Sequence, residues 1–163
     1  SQFYEEIQQL SMPKFINFNC HKHFQKINGE IIFIKPKLVL DDYFEPDVTK
    51  PFVFGGTVTY TTLQLAFYMG FSEVIIIGLD HKYSEKGTPN EKETRKYEHD
   101  TSHFSPEYFP KGIKWQLPDL VRSEIDFSLA RKFYEKANRH IIDATVDGNC
   151  PVFDKVLYES LFK

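Results

Sequence analysis

Cysteine is scarce in this chain: Cys20 and Cys150 are the only two in 163 residues, and they form no CxxC pair. That spacing disfavours a disulfide scaffold and suits free thiols in a reducing compartment. A surplus of either charge is lacking as well. The 20 basic and 23 acidic residues leave a net charge of -3, so composition carries no electrostatic footprint for duplex DNA or an anionic membrane, and no nucleic-acid partner is expected. Every apolar run is broken within about ten residues, short of a bilayer span, and no cationic-then-apolar leader opens the chain. The expectation is a cytoplasmic protein without integral membrane contact. Ser1 is not a natural start, so further residues are expected upstream of it. Two nucleotide fingerprints are missing, GxGxxG and GxxxxGK[ST], which disfavours the standard dinucleotide site and the lysine phosphate loop. Neither Cys20-His21 with His23 nor the group Asp80, His81, Asp100 and His103 matches a zinc spacing, and no protein metal site is expected.

What is present is an aromatic-rich chain of single-domain length, with 16 Phe and 9 Tyr expected in the core or in pocket walls. Phe3 to Leu10 has apolar positions at helical spacing and stops before Met12-Pro13. Lys14 to Phe18 and Glu30 to Ile34 read as strands on either side of Asn28-Gly29. Pro36, Pro46 and Pro51, with a cluster of acids, predict a surface loop over 35–51. Thr57 to Met69 predicts a helix whose inner side carries Val58, Thr61, Thr62, Leu65 and Met69. Leu63, Ala66, Phe67 and Phe71 broaden that side, and Gly70 is its stop. Glu73 to Leu79 is a continuous apolar run, the pattern of a strand buried on both faces of a parallel sheet. Residues 84–118 are the least regular part; within them Glu85 to Asp100 mixes charges of both signs, and the stretch admits two readings, a solvated mobile loop or a lid over the sheet edge. Pro118-Asp119 opens a helix from Leu120 to about Ala137, with Val121, Ile125, Ser128, Leu129, Phe133 and Ala137 inward. His140 to Thr145 is a further strand, and a short helix is expected near Val156 to Phe162. Glycine turn, helix and buried strand in succession predict an α/β fold of three-layer Rossmann-like type with a mainly parallel sheet.

Candidate chemistry sits at the two ends of that succession. Gly55 and Gly56 let the backbone approach a ligand closely, the first amides of the helix suit a phosphate, and Thr57 and Thr59 add hydroxyl donors. An ordinary turn would use the same glycines. At the strand's end, "GLDHKY" puts Gly78, Asp80, His81 and Tyr83 at the carboxyl edge, where ligands of parallel sheets bind. A carboxylate at Asp80 can hold ribose hydroxyls, orient a base, bind hydrated Mg²⁺ or simply form a turn. In "HDTSHF", His103 is the candidate general base, since an imidazole titrates near neutral pH and can take a proton from an attacking hydroxyl. A lone loop histidine is more often plain surface. Phe104, Tyr108, Lys111 and Trp115 fall in the same region.

Over about residues 50 to 163, "GGTVTYTTLQLAFYMGFSEVIIIGLDH", "SHFSPEYFPKG" and "RHIIDATVDGNCPVFDKV" together resemble the MptE-like family. That family is named for the archaeal 6-hydroxymethylpterin diphosphokinase and includes proteins of bacterial surface-polysaccharide loci. The pattern is more loosely similar to the small single-Rossmann CMP-sialic acid transferases and to the motility-associated factors that glycosylate flagellin. The resemblance implies that Gly56 and Thr57 meet a nucleotide phosphate, that Asp80 is a strand-end aspartate of the site, that Tyr83 contacts the phosphate and that His103 is the general base. Nothing in residues 1–50 matches the strand and Asn-Gly-Pro-Ser-like turn that open the family's domain. Residues 1–163 are therefore expected to be one Rossmann-like domain, the C-terminal part of a larger one lacking its first βα unit, or a shortened relative.

Two reactions follow from the resemblance. In the first, a glycosyltransferase of surface-glycan assembly uses a CMP-activated, sialic acid-like sugar and no cofactor. Gly55, Gly56, Thr57, Asp80 and His81 hold the nucleotide, Tyr83 donates to the leaving oxygen and His103 deprotonates the acceptor hydroxyl. In the second, Mg²⁺ with ATP delivers a pyrophosphoryl group to 6-hydroxymethyl-dihydropterin, with Asp80 a metal ligand and Phe104, Tyr108 and Trp115 stacking the pterin. A third reading is a non-catalytic nucleotide- or sugar-binding module. The expected partners are a nucleotide or nucleotide-sugar donor and a small-molecule or glycan acceptor, and a homo-oligomer is compatible with all three.

Overall fold

The computed structural model describes residues 4–24, 30–82, 87–94, 112 and 114–162. Two compact units divide the chain, residues 1–71 and 72–163. Both are mixed α/β, with mainly parallel strand pairing. Among the described residues, no helix is long and apolar enough to cross a membrane.

In the first unit, α1 (Tyr4–Gln9) precedes β1 (Lys14–Asn17), a 3-10 turn (Phe18–His23) and β2 (Ile31–Ile34). β1 and β2 pair in parallel, Lys14 opposite Ile31 and Asn17 opposite Ile34. Parallel neighbours need a crossover, and the 3-10 turn forms part of it. A further parallel bridge joins Pro36 to Phe52, with Lys37 N–H donating to Phe52 O and Phe52 N–H to Lys35 O, both at 2.7 Å. Phe52 is completely buried. It clusters with Ile34 and Leu65, and Phe15, Val48 and Phe54 pack around them.

Directly after this strand-like segment come Gly55, Gly56 and then α2 (Val58–Tyr68). Thr57 caps the helix, its Oγ1 accepting from Thr59 N–H at 3.3 Å. Gly70, at φ +86°, ends it, and Phe71 N–H donates back to Ala66 O at 3.2 Å, a left-handed stop that glycine adopts at no steric cost. The buried face differs from the expected stripe. Tyr60, Leu63, Gln64 and Leu65 are inside, whereas Val58 is 81% and Met69 50% exposed. Gln64 explains the rotation. Its Oε1 accepts from Glu45 N–H and its Nε2 donates to Val53 O, both at 2.8 Å, and a buried amide with partners is stable where an unpartnered one is not.

The same bonds correct the expectation of a surface loop over 35–51 in part, because two of its own residues, Phe44 and Glu45, are buried. Glu45 accepts from Tyr43 Oη–H at 3.0 Å and Asp47 N–H at 3.1 Å, and the first of these holds the Tyr43 phenol above its usual pKa. The rest of the loop is half-buried or exposed, and Leu38 and Leu40 are fully exposed.

The second unit runs β3 (Glu73–Ile76), β4 (Lys92–Thr94), β5 (Lys114–Gln116), α3 (Leu120–Lys136), β6 (His140–Asp143), β7 (Asp154–Lys155) and a 3-10 turn (Tyr158–Phe162). β3, β6 and β7 form a parallel sheet in that order. β4 and β5 pair antiparallel, so the stretch 84–118, expected to be irregular, carries a short ladder. β3 ends at Ile76 rather than Leu79, and β6 at Asp143 rather than Thr145. Ile75 is 42% exposed, so β3 is not buried on both faces as its apolar run suggests.

Helix α3 packs on β6. Asp119 caps it by accepting from Arg122 N–H at 2.9 Å, and Asn138, at φ +55°, ends it while Arg139 N–H donates to Tyr134 O at 2.9 Å. Its inner stripe is Ser123, Asp126, Phe127, Ala130 and Tyr134, not the expected one, since Val121 is 68% exposed. The polar members are satisfied: Ser123 Oγ donates to Asp119 O at 2.8 Å, and the Arg122 guanidinium pairs with Asp126. Burial pushes the Tyr134 phenol up to about 12.

Gln64→Leu keeps the volume but leaves Glu45 N–H and Val53 C=O buried without a partner, at a cost of about 1–3 kcal/mol for each. Urea unfolding should place the variant's midpoint below that of the wild type. An unchanged midpoint contradicts the pinning role of Gln64.

Candidate functional site

Parallel strands all leave the sheet at one edge. Ile76 and Asp143 are opposite one another at the ends of β3 and β6, so residues 77–82 and 144–150 begin side by side. Gly78, at φ +77°, turns the first exit. The two exits are then tied together: Leu79 N–H donates to Thr145 Oγ1 at 3.0 Å and Asn149 N–H to Asp80 O at 2.9 Å. Beneath them lies the completely buried carboxylate of Asp143. It accepts from Thr145 N–H at 2.8 Å and from Lys155 Nζ at 2.5 Å, and Lys155 also donates to Gly148 O at 3.2 Å. A buried charge persists when it is paired in this way. Gly148 is required by close approach, since a Cβ there would meet Thr145 at 2.9 Å and the Leu79 carbonyl oxygen at 3.0 Å.

At this edge opens a cleft of about 330 Å³, lined by Ile77, Gly78 and Asp80 from the β3 exit, by Ala144, Thr145 and Val146 from the β6 exit, and by Tyr158 from the last 3-10 turn. The volume is at the lower end of the range for small-molecule sites, roughly 300–1,000 Å³. Asp80 supplies the charge. Among the described residues its carboxylate has no partner, and no Lys, Arg or His lines the cleft.

The expected site residues separate as follows. Asp80 lines the cleft. His81, at φ +52°, does not; its side chain is buried, with Nε2 2.9 Å from Glu124 Oε1 on α3 and its ring 6.2 Å from that of Phe127. His81 thus anchors the β3 exit to the helix. Gly55, at φ +65°, Gly56 and the cap residue Thr57 stand at the start of α2 in the first unit. Tyr83 and His103 lie outside the described residues, as do Asp100, Phe104, Tyr108 and Lys111. Trp115 is half-buried on β5.

Sequence reasoning missed Thr145, Val146 and Tyr158. The available signal was topological: residues that follow each strand of a parallel sheet share an edge. Reading "HIIDAT" as strand to its end hid the β6 exit. Cys150 is buried under the same loop, and burial pushes its thiol up, which removes it as a nucleophile. Among the described residues no group of three or more His, Cys, Asp or Glu is placed to hold a metal ion. The chain matches no protein-family model, no curated protein and no solved structure.

Gly148→Ala forces Thr145 or the Leu79 carbonyl to move, and overpacking of this kind costs about 1–3 kcal/mol. Thermal denaturation should show a lowered Tm. A variant as stable as the wild type contradicts the close approach that joins the two exits.

Proposed function

We propose that the chain is a nucleotide-dependent transferase, a cytoplasmic glycosyltransferase that uses a CMP-activated, sialic acid-like sugar in surface-polysaccharide assembly. The observation that carries this reading is the carboxyl-edge cleft with its Asp80 carboxylate, which has no partner among the described residues. A carboxylate that accepts from two O–H donors suits the cis-diol of a ribose. The apolar side chains of Ile77 and Val146, together with the Tyr158 ring, suit an uncharged base rather than a phosphate, which Asp80 would repel. Separately, in the first unit, Gly55, Gly56 and Thr57 at the start of α2 are phosphate candidates in their own right, because a helix N-terminus favours an anion.

In the reaction, the acceptor hydroxyl gives its proton to His103 as its oxygen bonds to the anomeric carbon of the sugar. The bond from that carbon to the phosphate oxygen breaks, and its electron pair leaves with CMP while Tyr83 donates a hydrogen bond to the leaving oxygen. The relationship to MptE-like proteins belongs to this proposal. So does the finer architecture, a three-layer Rossmann-like domain lacking its first βα unit, which the crossover from β3 through α3 to β6 supports.

Thermal shift with CMP, CDP, ATP with Mg²⁺, and 6-hydroxymethyl-dihydropterin tests the reading. A ligand at 100 times its Kd stabilises the folded state by about 2.7 kcal/mol. CMP should raise the Tm without added Mg²⁺, and Asp80→Asn should lose most of that gain. His103→Ala should abolish sugar transfer and leave CMP binding nearly intact. Stabilisation by ATP that requires Mg²⁺, with none by CMP, moves the function to pyrophosphoryl transfer. No shift with any of these ligands overturns a nucleotide site.

A further inference from the structure

β7 is only two residues long, yet the segment that follows it is held firmly. Val156 N–H donates to Asp143 O at 3.0 Å, which ties the β7 exit to the last residue of β6. The 3-10 turn starting at Tyr158 is then tightened by Ser160, whose N–H and Oγ–H both reach Leu157 O, at 2.9 and 2.6 Å. Phe162 packs edge-on against the Tyr158 ring, with centroids 5.1 Å apart and planes at 65°. Tyr158 is therefore oriented by its neighbours without being enclosed by them. It stays 40% exposed and lines the cleft. An aromatic ring fixed in this way offers a π-face at little entropic cost to a ligand that stacks on it. The other large wall residues, Ile77 and Val146, are apolar and 63% and 68% exposed, so they gain burial when a flat, uncharged ring enters.

We propose that Tyr158 is the stacking wall of the carboxyl-edge cleft and makes it selective for ligands that carry a planar heterocycle. The proposal rests on the transferase reading and adds to it the residue that recognises the base. Asp80 takes the hydroxyl-bearing part of the ligand, and Tyr158 takes the ring.

Isothermal titration of the full chain with CMP and with ribose 5-phosphate, which lacks the base, tests the assignment. The wild type should prefer CMP by about 10- to 100-fold, the range that stacking of one base on an aromatic side chain provides. Tyr158→Ala should bring the two affinities together by weakening CMP alone, and Tyr158→Phe, which keeps the ring, should retain the preference. Circular dichroism checks that the variants fold, and Leu157→Ala, an exposed neighbour, should behave as wild type. If Tyr158→Ala keeps the full preference for CMP, the stacking role is overturned and the transferase reading stands. If the wild type binds no CMP, the transferase reading falls and this inference falls with it.

Discussion

The parallel pairing of β3 with β6, and within it the step that sets Ile76 opposite Asp143, is the constraint on which the candidate site depends. Strands that run the same way and stop at the same level deliver their exits to one edge. There a single hydroxyl, Thr145 Oγ1, satisfies Leu79 N–H, while Asp143 holds Thr145 N–H from below and draws in Lys155 from β7. A slip of one residue would turn the Asp143 side chain to the opposite face and separate Leu79 from Thr145. The register therefore fixes both the buried ion pair and the shape of the cleft. Gly148 reinforces this, because the space beside Thr145 and the Leu79 carbonyl admits no side chain.

A second feature runs through both units: polar side chains decide how elements are turned. Gln64 sits at the centre of the α2 face and binds two backbone groups from the preceding loop. Asp126 is buried on α3 beside its Arg122 partner. Lys14 is buried at the start of β1, with Nζ donating to Leu10 O at 2.6 Å and Met12 O at 3.1 Å. Each is buried with partners within hydrogen-bond reach, and breaking such a set leaves an unpartnered buried group that costs more than the intact set contributes.

This explains which parts of the structure the sequence discloses. Helix ends are local and legible: Thr57, Gly70 and Asp119 act within a few residues of themselves. The faces of α2 and α3 are not local. Hydropathy spacing points to Val58 and Val121, but Gln64 takes its partners from 19 and 11 residues away, and Ser123 and Asp126, each partnered one turn back on α3, face inward although they are polar. The β4–β5 ladder escaped notice because its strands are three residues each and highly charged. At the site, Asp80 was legible as the polar residue closing an apolar run. Thr145 and Tyr158 were not, since their place follows from sheet order. The partner of His81, Glu124, lies 43 residues away, beyond the reach of any local pattern.

The central claim is that the exits of β3, β6 and β7 build one nucleoside-binding edge, and an NMR titration of the ¹⁵N-labelled chain with CMP tests it most directly. The account predicts that the amides of Gly78, Asp80, Thr145, Val146 and Tyr158 shift together along one saturating curve. Shifts that leave these amides untouched, or no saturating shift at all, would contradict it.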